Sequence, residues 1–197
     1  MKRLIWFMVP LALFLCGTVF LLKGLYSNPH ERDSMALERA FPTFELPDLM
    51  NEQILHTNDI FEGQMTLVNV WGVWCVTCAV ELPYLTQLSR EGYRFIGLYY
   101  DQDLDPNFGE KTITRVRSEV IDMLGKFGDP FEFNVFDVYR DTSLDLGVTG
   151  APETFLVDHN GVIRAHHLGD INERVWNGKF MPVVQKIEVE LAEERVN

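Results

Sequence analysis

A near-continuous apolar run over residues 65–74 ends directly on two cysteines separated by two residues, Cys75 and Cys78. Such a run is typical of a strand covered on both faces, as in a parallel sheet. After Cys75, apolar residues recur at helical spacing as far as Gly92, and Pro83 inside this predicted helix should kink it. We therefore expect the cysteines at a junction between a core strand and a helix.

The rest of the chain predicts a β-α-β-α-β-β-α order of elements. The predicted elements are an edge strand in "FPTFELPDL", a strand at 93–100, an acidic turn-rich stretch at 101–110, a helix from Thr112 to Lys126, a strand at 131–137, a hairpin over 154–167 about Asn160-Gly161, and a closing helix capped by Asp170 and interrupted at Gly178 and Pro182. Parallel strands joined by helical crossovers define an α/β fold. With the cysteines at the first strand-to-helix junction, this is the thioredoxin-like arrangement.

The N-terminus has an uncharged apolar run from Leu4 to Leu22, preceded by Lys2 and Arg3. A helix of this length just spans the hydrocarbon core of a bilayer. A cleaved signal peptide, the alternative, has a shorter apolar region and a small-residue cleavage pattern. We predict an uncleaved transmembrane anchor helix that places the following domain on the far side of the membrane, in an oxidising compartment. The predicted division is an anchor over 1–23, a linker over 24–40 and a thioredoxin-like domain over 41–197.

Composition excludes several kinds of site. The formal net charge of −12 disfavours a nucleic-acid partner, because an acidic surface releases no counterions from phosphate. Cys16 lies inside the apolar run and is interpreted as a small hydrophobic residue. No second cysteine pair completes a zinc site, and the adjacent His166 and His167 would point to opposite faces of a strand. We therefore predict no metal and no tightly bound cofactor.

The remaining interpretation of Cys75 and Cys78 is a redox pair. A disulfide across so short a loop restrains little of the unfolded chain, so stabilisation is a weak reason for it. At the start of a helix, backbone N–H groups and the helix dipole favour the thiolate of Cys75. Cys78 would lie one turn further on, where it can attack a mixed disulfide formed on Cys75. A second segment, "GVTGAPETF", leads directly into the predicted hairpin and contains Pro152.

Two segments together resemble a known family. "WGVWCVTCAVELPYL" and "LDLGVTGAPETFLVDHNGVIRAHHLGDINERVW" are similar to the membrane-anchored thioredoxins of cytochrome c maturation, the DsbE/CcmG type of thiol:disulfide interchange protein. The resemblance implies that Cys75 attacks the substrate disulfide, that Cys78 resolves the intermediate and that Pro152 is a cis-proline facing the pair. Trp74 and Ala151, together with Pro152, are the expected substrate-binding residues.

The same resemblance points to two acidic residues. Glu81, three residues after Cys78, and Glu153, from the "GVTGAPETF" segment, match the acidic residues of this family's active site. Ordinary thioredoxins have a buried aspartate six residues before the first cysteine, where this chain has Asn69. Glu81 is therefore the better candidate to exchange a proton near Cys78. The alternative is a solvated acid on the helix surface.

The family implies a reductant of the haem-attachment cysteines of apocytochrome c. Its partners would be apocytochrome c, cytochrome c maturation factors and a membrane electron donor of the DsbD or CcdA type. The expected location is the bacterial inner membrane, with a single span and a periplasmic catalytic domain. Two alternatives stay open: a general periplasmic disulfide oxidase or isomerase, and a non-catalytic apocytochrome-binding module.

Overall fold

The computed structural model describes residues 9, 11, 13–22, 36–61, 63–102 and 112–194. The chain divides into two units, 1–33 and 34–197. In the first unit, residues 13–22 are helical (α1), and Cys16 is exposed. No helix within the described residues is long and apolar enough to cross a membrane. The other residues of the predicted anchor, and residues 24–35 of the linker, lie outside the described ranges, so these predicted boundaries stay predictions.

The second unit begins with a small antiparallel sheet, of which the sequence predicts only one strand. The sheet consists of β1 (Glu45–Pro47) and β2 (Ile54–His56), and helix α2 (Thr57–Phe61) follows it. Each strand has three residues, too few for a period-two alternation to stand out in a sequence. Neither β2 nor α2 therefore has a sequence signal that predicts it.

The main sheet has five strands: β3 (Thr66–Trp71), β4 (Phe95–Tyr99), β5 (Phe131–Phe136), β6 (Glu153–Val157) and β7 (Ile163–Leu168). Their order is β5-β4-β3-β6-β7. Strands β3, β4 and β5 are parallel, and β6 and β7 are antiparallel to their neighbours. Helices α3 (Val76–Arg90) and α4 (Ile113–Phe127) provide the crossovers that parallel strands need. The predicted α/β thioredoxin-like fold is confirmed.

The last part of the chain is helical and contains the predicted interruption. Its elements, after β7, are α6 (Glu173–Val175), a π-helical turn (Trp176–Phe180) and α7 (Met181–Glu194), whereas the short helix α5 (Asp141–Asp145) lies earlier, between β5 and β6. Gly178 lies in the π-helical turn, and Pro182 is the second residue of α7. The predicted cap is wrong: the side chain of Asn172, not Asp170, accepts the hydrogen bond from the backbone N–H of Val175.

Strand β3 separates two apolar cores. Leu67 and Trp71 face a core that includes residues of α3, α4 and α7, whereas Val68 and Val70 face a core that includes residues of α2. This alternation is the period-two pattern of a strand buried on both faces, and all six residues of β3 are buried. Asn69 has the parity of Leu67 and Trp71 and therefore points towards the helix that follows the cysteines.

The predicted hairpin of β6 and β7 is confirmed, but its loop is longer than a tight two-residue turn. Residues 158–162 connect the strands. The Asp158 carboxylate accepts hydrogen bonds from the backbone N–H groups of Asn160, at 2.9 Å, and Val162, at 3.0 Å. Gly161 supplies the positive φ of 76° that the loop requires. A side chain therefore organises this reversal.

The two long helices on either side of β4 in the chain, α3 and α4, are both predicted from the sequence. Helix α3 is one element with Pro83 inside it, so the predicted helix is confirmed, while the predicted kink stays a prediction. The predicted helix from Thr112 is confirmed as α4, with Thr112 as its N-cap. Residues 103–110 of the acidic stretch lie outside the described residues.

Candidate active site

Cys75 and Cys78 form a disulfide at the start of helix α3, with their Cα atoms 5.3 Å apart. Cys75 is the N-cap residue, and its Sγ accepts a hydrogen bond from the backbone N–H of Cys78 at 3.1 Å. Cys75 is 5% exposed, whereas Cys78 is completely buried. Upon reduction, the helix N-terminus stabilises a thiolate on Cys75, which is also the sulfur that a partner reaches more easily.

Trp74 is held beside the disulfide by contacts with the end of β4. Its indole Nε1 donates a hydrogen bond to the carbonyl oxygen of Tyr100 at 3.0 Å, and the two rings are 5.0 Å apart. Gly72 permits this arrangement, because a Cβ at that position would lie 2.3 Å from Trp74 Nε1. Trp74 is half-buried and packs against the core cluster that contains both cysteines.

Glu81 is buried inside the domain rather than solvated on the helix surface. It lies three residues after Cys78 on α3, so the two side chains share one face of the helix. Its Oε1 accepts a hydrogen bond from Asn69 Nδ2 at 2.9 Å, and its Oε2 accepts one from the backbone N–H of Ile171 at 2.8 Å. Burial raises the pKa of Glu81 to about 7, although both hydrogen bonds oppose the shift. Glu81 can therefore hold or release a proton near neutral pH.

Pro152 is buried, and the peptide bond between Ala151 and Pro152 is cis, as the resemblance implies. Ala151 is half-buried and packs against the core cluster that includes the two cysteines. Cys75, Trp74 and Ala151 are thus brought into one region by the ends of β3 and β6.

Glu153, the first residue of β6, is buried under the loop that contains Pro152. Its Oε1 accepts hydrogen bonds from the backbone N–H and the hydroxyl of Thr149, at 2.8 and 2.9 Å, and from the backbone N–H of Gly150 at 3.1 Å. Its Oε2 lies 2.9 Å from His166 Nε2. Burial acts to raise the pKa of Glu153, but the hydrogen bonds from His166 and Thr149 outweigh it and lower the pKa. Glu153 is therefore an ionised acceptor.

Sequence reasoning missed the partners of both glutamates. The two adjacent histidines lie on opposite faces of the sheet, as predicted. His166 is buried against Phe155, whereas His167 approaches Phe180 from the other face. The observed hairpin register pairs Phe155 with His166, and because Glu153 is on the same face of β6 as Phe155, a correct prediction of this register would have placed His166 near Glu153. Ile171 is 90 positions from Glu81 in the chain, so no local pattern connects them.

Among the described residues, no group of His, Cys, Asp or Glu side chains could hold a metal ion.

The class of this protein follows from its fold and its site. The disulfide lies at the first turn of α3, the buried carboxyl group of Glu81 is on the same helix, and the loop before β6 contains a cis-proline. The protein is a thiol:disulfide oxidoreductase with a thioredoxin-like fold, whose activity is thiol–disulfide exchange. Residues 36–179 match the Redoxin family.

The chain is 38% identical to the thiol:disulfide interchange protein DsbE of Escherichia coli (strain K12), covering 98% of this chain and 100% of that protein. It is also 38% identical to DsbE of Pseudomonas fluorescens biotype C, covering 95% of this chain and 97% of the relative. The chain therefore belongs to the DsbE family of thiol:disulfide interchange proteins, within the wider Redoxin family. Its fold is similar to the thioredoxin domain of a thiol-disulfide oxidoreductase from Bacteroides vulgatus, with a TM-score of 0.56 at 22% identity over 78% of this chain and 98% of that one.

Proposed function

We propose that this protein reduces the disulfide between the haem-attachment cysteines of apocytochrome c, on the periplasmic side of the bacterial inner membrane. The observation that supports the proposal most directly is the Cys75–Cys78 disulfide at the start of α3, with the ionisable Glu81 one turn away. Membership of the DsbE family supports the substrate. Both cysteines of the haem-attachment motif must be thiols before haem is joined to them.

The proposed reaction is a two-step exchange that begins from the reduced protein. The Cys75 thiolate attacks one sulfur of the substrate disulfide, forms a mixed disulfide and releases the other substrate sulfur as a thiolate. The Cys78 thiolate then attacks Cys75 Sγ, which re-forms the Cys75–Cys78 bond and releases the second substrate thiolate. Two electrons pass from the protein to the substrate, and the state with the disulfide closed is the product state of the protein.

Glu81 is proposed as the group that exchanges the proton of Cys78. A thiol must lose its proton before it can attack the mixed disulfide, and Cys78 is completely buried. Glu81 shares its helix face, and its pKa of about 7 suits a group that accepts a proton and later returns it near neutral pH. Asn69 and the backbone of Ile171 fix the two carboxyl oxygens.

Trp74, Ala151 and Pro152 are proposed to bind the substrate around the disulfide, with Glu153 supporting the loop of Ala151 and Pro152. Both Trp74 and Ala151 pack against the core cluster that holds the cysteines and are half-buried, so each keeps surface that a bound chain can cover. An extended peptide bound there would bring its disulfide to Cys75.

The protein is proposed to be tethered by its N-terminus. The large apolar side chains described on α1, among them Leu13, Phe14 and Phe20, are exposed, which suits insertion into lipid. Because the periplasm is oxidising, the pair would need electrons from across the membrane. We propose a donor of the DsbD or CcdA type and cytochrome c maturation factors as further partners.

A trapping experiment tests the exchange. A reduced Cys78→Ser variant mixed with a peptide that contains an oxidised Cys-Ala-Ala-Cys-His motif is expected to accumulate a mixed disulfide on Cys75, detected by mass spectrometry. Cys75→Ser, the matched control, is expected to form no covalent complex. If Cys75→Ser bound the peptide as well as the wild type and the wild type left the peptide oxidised, the non-catalytic binding module would be supported instead.

The reduction potential separates a reductase from an oxidase or isomerase. We expect equilibration of the full chain in a dithiothreitol redox buffer to give a value near the thioredoxin end of the range, about −270 mV. A value near about −120 mV, at the oxidising end, would overturn the reductase proposal.

A further inference from the structure

The Glu153 carboxylate joins the loop of Ala151 and Pro152 to strand β7. Three hydrogen bonds reach its Oε1 from Thr149 and Gly150, the residues directly before that loop, and one contact reaches its Oε2 from His166. The carboxylate is 2% exposed, so these contacts take the place of solvent. Loss of any one of these donors leaves part of a buried charge without a partner, which costs free energy and weakens the hold on the loop.

His166 is the donor that comes from outside the loop. An ionised carboxylate can only accept hydrogen bonds, so Nε2 of His166 must carry the hydrogen. The imidazole is held flat against the Phe155 ring, with centroids 4.2 Å apart and an angle of 4° between the planes. Its Nδ1 is buried and has no hydrogen-bond partner among the described residues. The contact with Glu153 is therefore the polar interaction that orients this ring.

We propose that His166 is a positioning residue for substrate binding: its Nε2–H fixes Glu153, and Glu153 fixes the loop that presents Ala151 and Pro152 to a peptide. This inference rests on the proposed function and adds a residue that positions its substrate-binding loop. His166 stacks on Phe155, which belongs to the core cluster on the other side of the sheet from the one that contains both cysteines, so its loss should affect peptide substrates and leave the chemistry of Cys75 intact.

A matched pair of variants tests the proposal in the full chain. Glutamine places an amide N–H near the position of imidazole Nε2, whereas the shorter asparagine places it near Nδ1. We expect His166→Asn to lower the rate constant for oxidation of the reduced protein by the Cys-Ala-Ala-Cys-His disulfide peptide about tenfold, because a hydrogen bond to a buried charge is lost. His166→Gln should stay near the wild-type rate. Tryptophan fluorescence follows the reaction.

A second substrate separates positioning from a general structural effect. Hydroxyethyl disulfide has no peptide backbone, so its rate with His166→Asn should change by less than about twofold. His159→Gln, in the loop at the other end of the same hairpin, is the control and should match the wild type with both substrates. Thr149→Val removes one loop hydrogen bond from the same carboxylate and should slow the peptide reaction about threefold. Because Thr149 is exposed, this variant decides the question if His166→Asn does not fold.

Three results would overturn the inference while leaving the proposed function intact. In the first, both His166→Asn and Thr149→Val react with the peptide at the wild-type rate. In the second, these variants lose as much rate with hydroxyethyl disulfide as with the peptide. In the third, His166→Gln reacts with the peptide as slowly as His166→Asn. A wild-type protein that reacts with hydroxyethyl disulfide and leaves the peptide oxidised would instead overturn the proposed function, and with it this inference.

Discussion

Glu81 is a carboxyl group whose protonation is linked to folding. Its pKa is about 7 in the folded protein against an ordinary value of 4.5, so the folded state binds the proton more tightly. The stabilisation by protonation is fully present below pH 4.5 and is lost as the pH rises to about 7. Over this window, the free energy of unfolding of the wild type should fall by about 3 kcal/mol relative to Glu81→Gln.

Denaturant unfolding of the oxidised proteins between pH 4 and 8 measures this difference, since glutamine does not titrate. If the two free energies of unfolding kept a constant difference across that range, Glu81 would have its ordinary pKa in the folded protein, and its proposed role as the proton acceptor of Cys78 near neutral pH would fail. The same experiment also distinguishes Glu81 from a solvated acid on the helix surface, which would show no such dependence.

Gly72 has no space for a side chain, because Trp74 and the end of β4 occupy it. A Cβ would lie 2.3 Å from Trp74 Nε1 and 2.8 Å from the carbonyl oxygen of Tyr100, the two atoms of one hydrogen bond. Gly72→Ala is expected to cost about 2 kcal/mol of unfolding free energy and to change the tryptophan fluorescence. Gly125→Ala is the matched control, because its Cβ would meet nothing within 4 Å. Gly125 is exposed in the last turn of α4, where that change should instead stabilise by about 0.5–1 kcal/mol. Equal effects at the two positions would contradict the packing argument.

At the scale of elements, the C-terminal helical region is predicted from the sequence, but the residue that caps it is not. Both Asp170 and Asn172 are residue types that cap helices, and composition alone does not choose between them. The folded chain shows which of them caps α6: the Asn172 side chain accepts the backbone N–H of Val175, while the backbone N–H of Ile171, just before it, donates to Glu81. Similarly, Asn160-Gly161 favours a tight turn, but Asp158 captures two backbone N–H groups and lengthens the loop.

The cap itself is open to test. Asn172→Ala removes the oxygen that accepts the backbone N–H of Val175 at 3.1 Å, and should lower the free energy of unfolding by about 1 kcal/mol. Asn172→Ser keeps a capping oxygen and should stay closer to the wild type, as measured by denaturant unfolding. A serine variant as unstable as the alanine variant would mean that Asn172 stabilises the fold in some other way.

At the scale of the whole molecule, an element can be predicted from the sequence when its pattern of apolar and polar residues is long. The six-residue apolar strand before Cys75, the long helices and the hairpin each repeat a pattern several times, and each is found as predicted. The cysteine pair is likewise placed by a local signal at the end of that strand. The surroundings of Glu81 and Glu153 come from residues distant in sequence, such as Asn69 and His166, so they required the folded chain.

The N-terminal segment gives a prediction for the whole chain in its membrane. If residues 1–23 are a retained anchor, the full chain should stay with the membrane pellet after alkaline carbonate extraction, whereas a fragment over 34–197 should be released. Phe14→Arg with Phe20→Arg should weaken this retention, since each charge inside the apolar span costs about 3 kcal/mol of insertion. Mass spectrometry of the N-terminus provides the decisive control. A soluble protein whose first residue follows position 23 would identify a cleaved signal peptide, and the domain would then have to find its electron donor by diffusion rather than within the plane of the membrane.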